Sequence, residues 1–275
     1  MNKILIVGNG ELGTALDELL KRNEENQVTV WGEEPNLPLA DVVFMAVPTV
    51  ALEDVASKIK STQSSDCIIV VLSKGLGENG QTPWELVTKN WAWPAVLISG
   101  PMIAEELLAG KSGSALIAGS EDDAVEKVIS LFPAANFQLL ISKDITGLSW
   151  VGPLKNLYAI GLGIAEGQGK GMNYKGRYVC RAVEEMSKIV SHFGGQKQTV
   201  YTISGLGDLI TTGFSPHSSN FQLGVSLANK NKPEKISEGV EVAKGLELRL
   251  ENTIRQFPLA CDIIQNITHI GESSC

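Results

Sequence analysis

The chain of 275 residues lacks the features of several protein classes. Its four cysteines, Cys67, Cys180, Cys261 and Cys275, lie far apart and form no CxxC or Cys/His spacing, which argues against a disulfide framework and a metal site. No apolar run approaches the ~20 residues that a membrane span requires. The 23 basic residues against 31 acidic ones give a net charge of −8, which argues against nucleic acid as a partner. Because the first apolar strand is predicted to begin at Lys3, we expect no signal peptide and a cytoplasmic protein with reduced thiols.

The sequence contains an ordered series of short apolar runs in its first 142 residues. Helical stretches separate them, a pattern that predicts an α/β fold with a mostly parallel sheet. From Asp144 onward the pattern changes to long helical segments, so we predict two domains, residues 1–143 and 144–275. The runs are ILIV (4–7), VTVW (28–31), DVVFMAV (41–47), CIIVVL (67–72), AVLIS (95–99), SALIAG (114–119) and FQLLIS (137–142).

The interval between the second and third runs is unusually short. Residues 32–40 include Pro35 and Pro38 and are too few for a crossover helix and a further parallel strand. We therefore expect a sheet that is trimmed beside its second strand, with less protein around any ligand there.

A glycine-rich turn, GNGELG at residues 8–13, follows the first run and precedes an amphipathic helical segment. Gly8, Gly10 and Gly13 have the spacing of a dinucleotide-binding turn. The first glycine forms the turn, the second lets the backbone approach a pyrophosphate, and the third allows close packing of helix on strand. A glycine-rich turn after any buried strand would look similar, and the flanking strand and helix are what favour a nucleotide site.

An acidic residue follows the second run. Glu33 lies twenty residues past Gly13, where a carboxylate accepts hydrogen bonds from an adenosine ribose. Its charge would repel a 2′-phosphate, which favours NAD over NADP. The alternative is a solvated Glu33 in the turn formed by residues 32–35.

Lys155 lies among apolar residues in VGPLKNLYAIG, residues 151–161. It either extends its stem to the surface or lies in a cleft where desolvation lowers its pKa and suits it to proton transfer. Pro153 would remove a helical hydrogen bond outside a first turn, so we expect a kink or a helix start there.

Two further stretches carry candidate polar groups. Asp208 and Thr212 share a face if a helix begins near Gly205 and Gly207, although the helix dipole alone also favours an aspartate at that end. Lys74 follows the CIIVVL run at the carboxyl end of a strand, where open α/β sheets bind ligands, although most loop lysines are solvated.

Taken in order, these stretches resemble the NAD(P)-dependent glycerol-3-phosphate dehydrogenases over almost the whole chain. The resemblance implies a Rossmann-type N-terminal domain followed by an all-helical substrate domain, with the active site in the cleft between them. The matching stretches are GNGELG (8–13), DVVFMAVP (41–48), SKGL (73–76), SGPMIAEEL (99–107), GPLKNLYAIGLGIAEG (152–167), SGLGDLITT (204–212), SSNFQLG (218–224) and EGVEVAKGL (238–246).

The resemblance also implies a reaction and roles for individual residues. Hydride passes between a nicotinamide and the carbonyl carbon of dihydroxyacetone phosphate, and Lys155 acts as general acid or base. Asp208 and Thr212 match positions that order this lysine and the substrate hydroxyls. The substrate is expected to contact Lys74, Asn156, Ser219 and Asn220, and the cofactor to contact Gly8, Asn9, Gly10, Glu11, Leu12, Gly13, Glu33, Pro48 and Glu238.

The chain departs from the family pattern at several of these positions. Ser219 stands where an arginine grips the substrate phosphate, and a serine offers no charged planar fork. Glu33 replaces an arginine associated with the NADP phosphate. Met102, Ser149 and Pro153 replace a serine, a glutamate and an alanine.

Three functions are compatible with this pattern. The first is a glycerol-3-phosphate dehydrogenase that prefers NAD. The second is a reductase of another small carbonyl or imine compound that lacks a phosphate. The third is a non-catalytic dinucleotide-binding protein, against which the joint retention of Lys155, Asn156, Asp208 and Thr212 argues. A homodimer is compatible with the sequence, which does not determine the oligomeric state.

Overall fold

The computed structural model describes residues 1–32, 36–89, 92–231 and 237–272, with side chains through residue 268. The chain forms two compact units. The first comprises Met1–Ser73 and Pro83–Ile145, and the second comprises Lys74–Thr82 and Thr146–Cys275. The short segment 74–82 therefore groups with the second unit, although in sequence it lies between strands of the first.

The first unit contains a seven-stranded sheet within the described residues, and each predicted apolar run forms one strand. The central strands are buried along their whole length because the sheet has helices on its faces, which explains their continuous apolar sequences. The strands are β1 (Asn2–Val7), β2 (Asn26–Trp31), β3 (Val42–Met45), β4 (Ile68–Val71), β5 (Ala95–Ser99), β6 (Gly113–Gly119) and β7 (Phe137–Ile141).

The order of the strands is β2-β1-β3-β4-β5-β6-β7. The pairings are parallel except for the antiparallel pair of β5 and β6, in which Val96 faces Gly119. Strand β1 pairs with β2 on one side and with β3 on the other, with Ile4 facing both Val28 and Val42. Among the described residues no strand lies beyond β2, so the expected α/β fold with a trimmed sheet is confirmed.

The helices of the first unit cover the sheet. Helix α1 buries Ala15, Leu16, Leu19 and Leu20, which recur at helical spacing and face the strands. The helices are α1 (Glu11–Leu20), α2 (Leu52–Thr62), α3 (Pro83–Thr88), α4 (Ala104–Leu108) and α5 (Asp122–Leu131).

Within the described residues of the second unit, helices are the only regular secondary structure, as predicted, and residues 74–82 form a loop. Helix α6 is buried on nearly every side, which explains why its sequence is apolar all round. The helices are α6 (Ile145–Gly167), α7 (Met172–His192), α8 (Asp208–Gly213), α9 (Ser219–Ala228), α10 (Glu238–Leu250) and α11 (Pro258–Glu272).

Pro153 lies in the interior of α6, because this helix begins at Ile145. Of the two alternatives at Pro153, a kink or a helix start, the helix start is therefore wrong. A proline removes one helical hydrogen bond and crowds the carbonyl four residues earlier, here that of Ser149. Burial of almost the whole helix offsets this local cost.

Two further findings concern the described part of the chain. None of its helices combines the length and the apolar character that crossing a bilayer requires. Its cysteines, Cys67, Cys180 and Cys261, are free thiols.

Candidate active site

The turn after β1 has the backbone conformation that only glycine adopts easily. Gly8 has φ +113°, and a Cβ atom there would stand 2.3 Å from the carbonyl oxygen of Ala46 at the end of β3. The Gly8 amide also donates to the Trp31 carbonyl at the end of β2, over 3.0 Å. The first glycine of the motif therefore fixes the turn between two neighbouring strands.

The other two glycines of the turn differ in their surroundings. A Cβ on Gly13 would lie 2.0 Å from the Gly8 carbonyl oxygen, so α1 packs directly on the turn. A Cβ on Gly10 would meet no described heavy atom within 4 Å, and no side chain caps the helix that begins after it. An open backbone at an uncapped helix N-terminus is what a pyrophosphate requires, so this turn fits a dinucleotide.

The remaining predicted cofactor residues of the first unit surround this turn. The side chain of Asn9 reaches Gly32 after β2, where a Cβ would stand 3.2 Å from its Nδ2 atom. Glu11 is the first residue of α1, Leu12 follows it, and Pro48 is exposed just after β3. Because β1 lies between β2 and β3, these residues lie at the carboxyl ends of strands at a topological switch point, where open α/β sheets bind ligands. Glu33 lies outside the described residues.

The second unit brings together four polar side chains from three segments. The Lys155 ammonium in α6 donates to the Thr212 hydroxyl over 2.8 Å and lies 3.2 Å from Oδ1 of Asp208. Lys74 donates to Oδ2 of the same carboxylate over 2.8 Å. The Thr212 hydroxyl donates in turn to Oδ1 of Asp208 over 3.2 Å, because the two residues are one turn apart in α8. We call Lys74, Lys155, Asp208 and Thr212 the lysine–aspartate cluster.

Burial and charge determine how the cluster ionises. The side chains of Lys155, Asp208 and Lys74 are only 8%, 4% and 14% exposed, so Lys155 does not extend to the surface. Desolvation lowers the pKa of Lys155 from 10.5 to about 8, with Asp208 and Glu238 opposing this effect and the Lys74 charge adding to it. Burial also acts to raise the pKa of Asp208, but the two ammonium groups outweigh it and the pKa is lowered. The cluster thus holds a lysine that can exchange a proton near neutral pH.

A chain of side-chain amides lies beside the cluster. Asn156, the residue after Lys155, donates to the carbonyl of Lys74 over 3.0 Å. Its own carbonyl accepts from Asn220 over 3.0 Å, and Asn220 accepts from the Gly239 amide over 3.1 Å. The participation of Gly239 was not predicted, and no signal in a single sequence indicates it.

The last two predicted residues lie at helix N-termini. Ser219 is exposed in the first turn of α9, directly after the capping residue Ser218. Glu238 is the first residue of α10, and its charge acts on Lys155. The described residues therefore place Lys74, Lys155, Asn156, Asp208 and Asn220 in one network.

Comparison with known proteins covers both units. The model of the NAD-dependent glycerol-3-phosphate dehydrogenase N-terminus matches residues 35–125, and the model of the C-terminus matches residues 144–272. Among solved structures, the glycerol-3-phosphate dehydrogenase of Coxiella burnetii superposes with a TM-score of 0.87 at 23% identity, covering 98% of this chain and 99% of that one. This likeness supports the fold.

Curated relatives are more similar in sequence. Glycerol-3-phosphate dehydrogenase [NAD(P)+] of Gloeobacter violaceus is 32% identical over 250 residues, which cover 87% of this chain and 81% of the relative. The protein of the same name from Acaryochloris marina is 33% identical over 258 residues, covering 88% and 81%. Similarity of this extent, over both units, shows that the chain belongs to the NAD(P)-dependent glycerol-3-phosphate dehydrogenase family.

Proposed function

We propose that the protein interconverts dihydroxyacetone phosphate and sn-glycerol 3-phosphate with a nicotinamide dinucleotide as the hydride carrier. The observation that carries this proposal is the buried Lys155 ammonium, held by Asp208 and Thr212 in a member of this family. Its pKa of about 8 suits it to give or take a proton at neutral pH.

The first unit is proposed to bind the cofactor. The open backbone at Gly10 and the uncapped N-terminus of α1 would hold the pyrophosphate, with Asn9 and Pro48 nearby. We propose NAD rather than NADP because the sequence has Glu33 where a 2′-phosphate would need a cation. Glu238 is proposed as a further cofactor contact.

The second unit is proposed to carry the acid–base chemistry. The bound nicotinamide supplies the hydride in reduction and accepts it in oxidation. As the carbonyl oxygen of the substrate gains negative charge, the Lys155 ammonium protonates it; in the reverse direction neutral Lys155 removes the hydroxyl proton. Asp208 stabilises the ammonium form, and Thr212 fixes its direction by accepting one of its hydrogen bonds.

The substrate is proposed to lie against Lys155, Asn156 and Asn220. Ser219 provides no charge for the phosphate, so we propose Lys74 as the cation that faces it. The Lys74 ammonium is 2.8 Å from Asp208 and keeps a small exposed fraction.

The test is NADH oxidation by the purified protein with dihydroxyacetone phosphate, with the Lys155→Ala variant measured in parallel. We expect turnover in the parent and none above background in the variant, whose NADH affinity, measured separately by fluorescence, stays within about twofold. Full turnover by Lys155→Ala would refute the role of this lysine. NADH binding without turnover in the parent would refute the substrate, and unphosphorylated small carbonyl compounds would then be assayed.

A further inference from the structure

We propose that Arg249 is a positioning residue for the reaction, because it holds segment 74–82 on α10 and thereby sets where the Lys74 ammonium meets Asp208. We call residues 74–82 the Lys74 loop. The effect of Arg249 on catalysis rests on the proposed function, whereas the contacts of Arg249 described below lie within the second unit.

The far end of the Lys74 loop touches α10 through two glycines. Gly80 has φ +74°, and a Cβ atom there would stand 2.4 Å from both the Gly245 carbonyl oxygen and Cγ of Arg249. A Cβ on Gly245 would in turn lie 2.9 Å from Cα of Gly80 and 3.0 Å from Cβ of Leu76. The two backbones are therefore in direct contact, which only glycine at both positions permits.

Arg249 adds a polar contact and a rigid support to this junction. Its Nη1 donates to the Gly80 carbonyl over 3.3 Å. Its guanidinium lies 5.0 Å from the ring of Phe193 and 5.4 Å from the ring of Trp150, and these rings stack on each other at 3.9 Å. Because the guanidinium is about equally far from both stacked rings, it lies beside the edge of the stack, and this contact restricts where the Arg249 side chain can go.

The near end of the loop is fixed at the lysine–aspartate cluster. Asn156 donates to the Lys74 carbonyl, and the Lys74 side chain reaches Asp208. Between the two ends, the Gly77 amide donates to the Gln81 carbonyl over 2.8 Å and the Gly80 amide donates to the Gly77 carbonyl over 2.9 Å. This short, internally bonded loop transmits a displacement at Gly80 to Lys74.

A displacement of Lys74 has a measurable electrostatic consequence. The charged groups that act on Lys155 are Asp208, Lys74 and Glu238, and the Lys74 charge lowers the pKa of Lys155. If Lys74 moves away, that pKa rises and the pH midpoint of reduction moves to higher pH. A role of Arg249 in stability alone would leave the midpoint unchanged.

The first test compares Arg249→Met with Lys244→Met, a charge removal at an exposed position of the same helix, where Lys244 pairs with Glu241. For Arg249→Met we expect kcat/KM for dihydroxyacetone phosphate to fall about tenfold, with KM for NADH unchanged. We expect the pH midpoint to rise by about half a unit or more. Arg249→Lys should have a kcat/KM between those of Arg249→Met and the parent, because lysine keeps the charge but lacks the planar guanidinium. Lys244→Met should match the parent in all three readouts.

The second test needs no turnover. With lysines labelled at Cε, the NMR titration of Lys155 is assigned by its loss in Lys155→Ala, and hydrogen exchange reports the amides of residues 74–82. Arg249→Met should raise the titration midpoint of Lys155 and speed exchange in the loop. Gly80→Ala should likewise raise the titration midpoint of Lys155 and speed exchange in the loop. The control is Gly110→Ala, which should change neither: Gly110 has the same φ of +74°, but the added Cβ would meet no described atom within 4 Å.

The outcomes separate the two proposals. A parent protein that does not reduce dihydroxyacetone phosphate would refute the proposed function, and the NMR and exchange measurements would still decide the role of Arg249. An Arg249→Met variant with unchanged Lys155 titration and unchanged loop exchange would overturn the inference, even if its melting temperature fell.

Discussion

The pKa of Lys155 leads to a prediction with opposite signs for two neighbouring residues. Asp208 raises this pKa and Lys74 lowers it, against a background of desolvation that brings it to about 8. We therefore expect Asp208→Asn to move the pH midpoint of catalysis to lower pH and Lys74→Met to move it to higher pH. A shared structural effect of the two substitutions would not produce opposite shifts.

The size of the first shift follows from the distance in the cluster. The Lys155 ammonium is 3.2 Å from Oδ1 of Asp208. Two unit charges about 4 Å apart attract with about 4 kcal/mol at an effective dielectric constant of about 20. Since one pKa unit corresponds to about 1.4 kcal/mol, losing the carboxylate lowers the pKa by up to about three units. Water that enters the variant reduces this, so we expect a shift of at least about one unit.

The assay measures both directions of the reaction over about pH 5 to 10. Reduction needs protonated Lys155, so its rate falls as the pH rises through the pKa; oxidation needs the neutral amine, so its rate rises over the same interval. In Asp208→Asn both curves should move to lower pH together, and in Lys74→Met both should move to higher pH. Unchanged midpoints, or shifts of the same sign, would refute the assignment of Lys155 as the proton-transfer group.

Four further predictions concern the phosphate, the ribose and the glycine-rich turn. Ser219→Arg should raise kcat/KM for dihydroxyacetone phosphate about tenfold or more and leave kcat/KM for dihydroxyacetone nearly unchanged, because the added guanidinium can contact only the phosphate. A loss of kcat/KM with both substrates in steady-state assays would contradict a phosphate-facing position. Glu33→Arg should shift the ratio of kcat/KM for NADPH over NADH upward by about tenfold, and an unchanged ratio would place Glu33 away from the ribose. Gly10→Ala should fold normally, because its Cβ meets no described atom within 4 Å, and should weaken NADH binding about tenfold by calorimetry. Gly13→Ala should lower the melting temperature, because its Cβ would lie 2.0 Å from the Gly8 carbonyl oxygen; a stable Gly13→Ala would contradict the close packing of α1.

The strands could be predicted from the sequence because the sheet is covered on both faces. Strands such as β3 and β4 are buried at every residue, so their sequences are continuous apolar runs that differ clearly from the intervening amphipathic helices. The missing crossover after β2 was equally predictable, since chain length alone excluded it. The local preference of proline for a helix start does not locate the start of α6, because burial of almost the whole helix accommodates Pro153 in its interior.

The contacts of the site could be predicted only in part. Asp208 and Thr212 lie one turn apart, so helical spacing was sufficient to place them on one face. Lys74 and Asp208 are separated by 134 residues, and no periodicity relates them. The grouping of residues 74–82 with the second unit likewise depends on contacts with α10 that spacing does not encode. The resemblance to a family supplied these residues as a set, and the structure supplies the bonds among them.

The adjacent residues Ser219 and Asn220 show why a serine at position 219, where the resemblance implies an arginine, is compatible with the internal hydrogen-bond network. Successive helical side chains point about 100° apart, so in the first turn of α9 one residue is exposed while the next is buried. Asn220 uses its amide to join Asn156 to the Gly239 backbone, a role that the exposed side chain at position 219 does not touch. We therefore expect a change at position 219 to alter the charge at this exposed position without moving Asn156 or, through it, the carbonyl of Lys74. For this reason the effect of Ser219→Arg on kcat/KM can be interpreted as electrostatic.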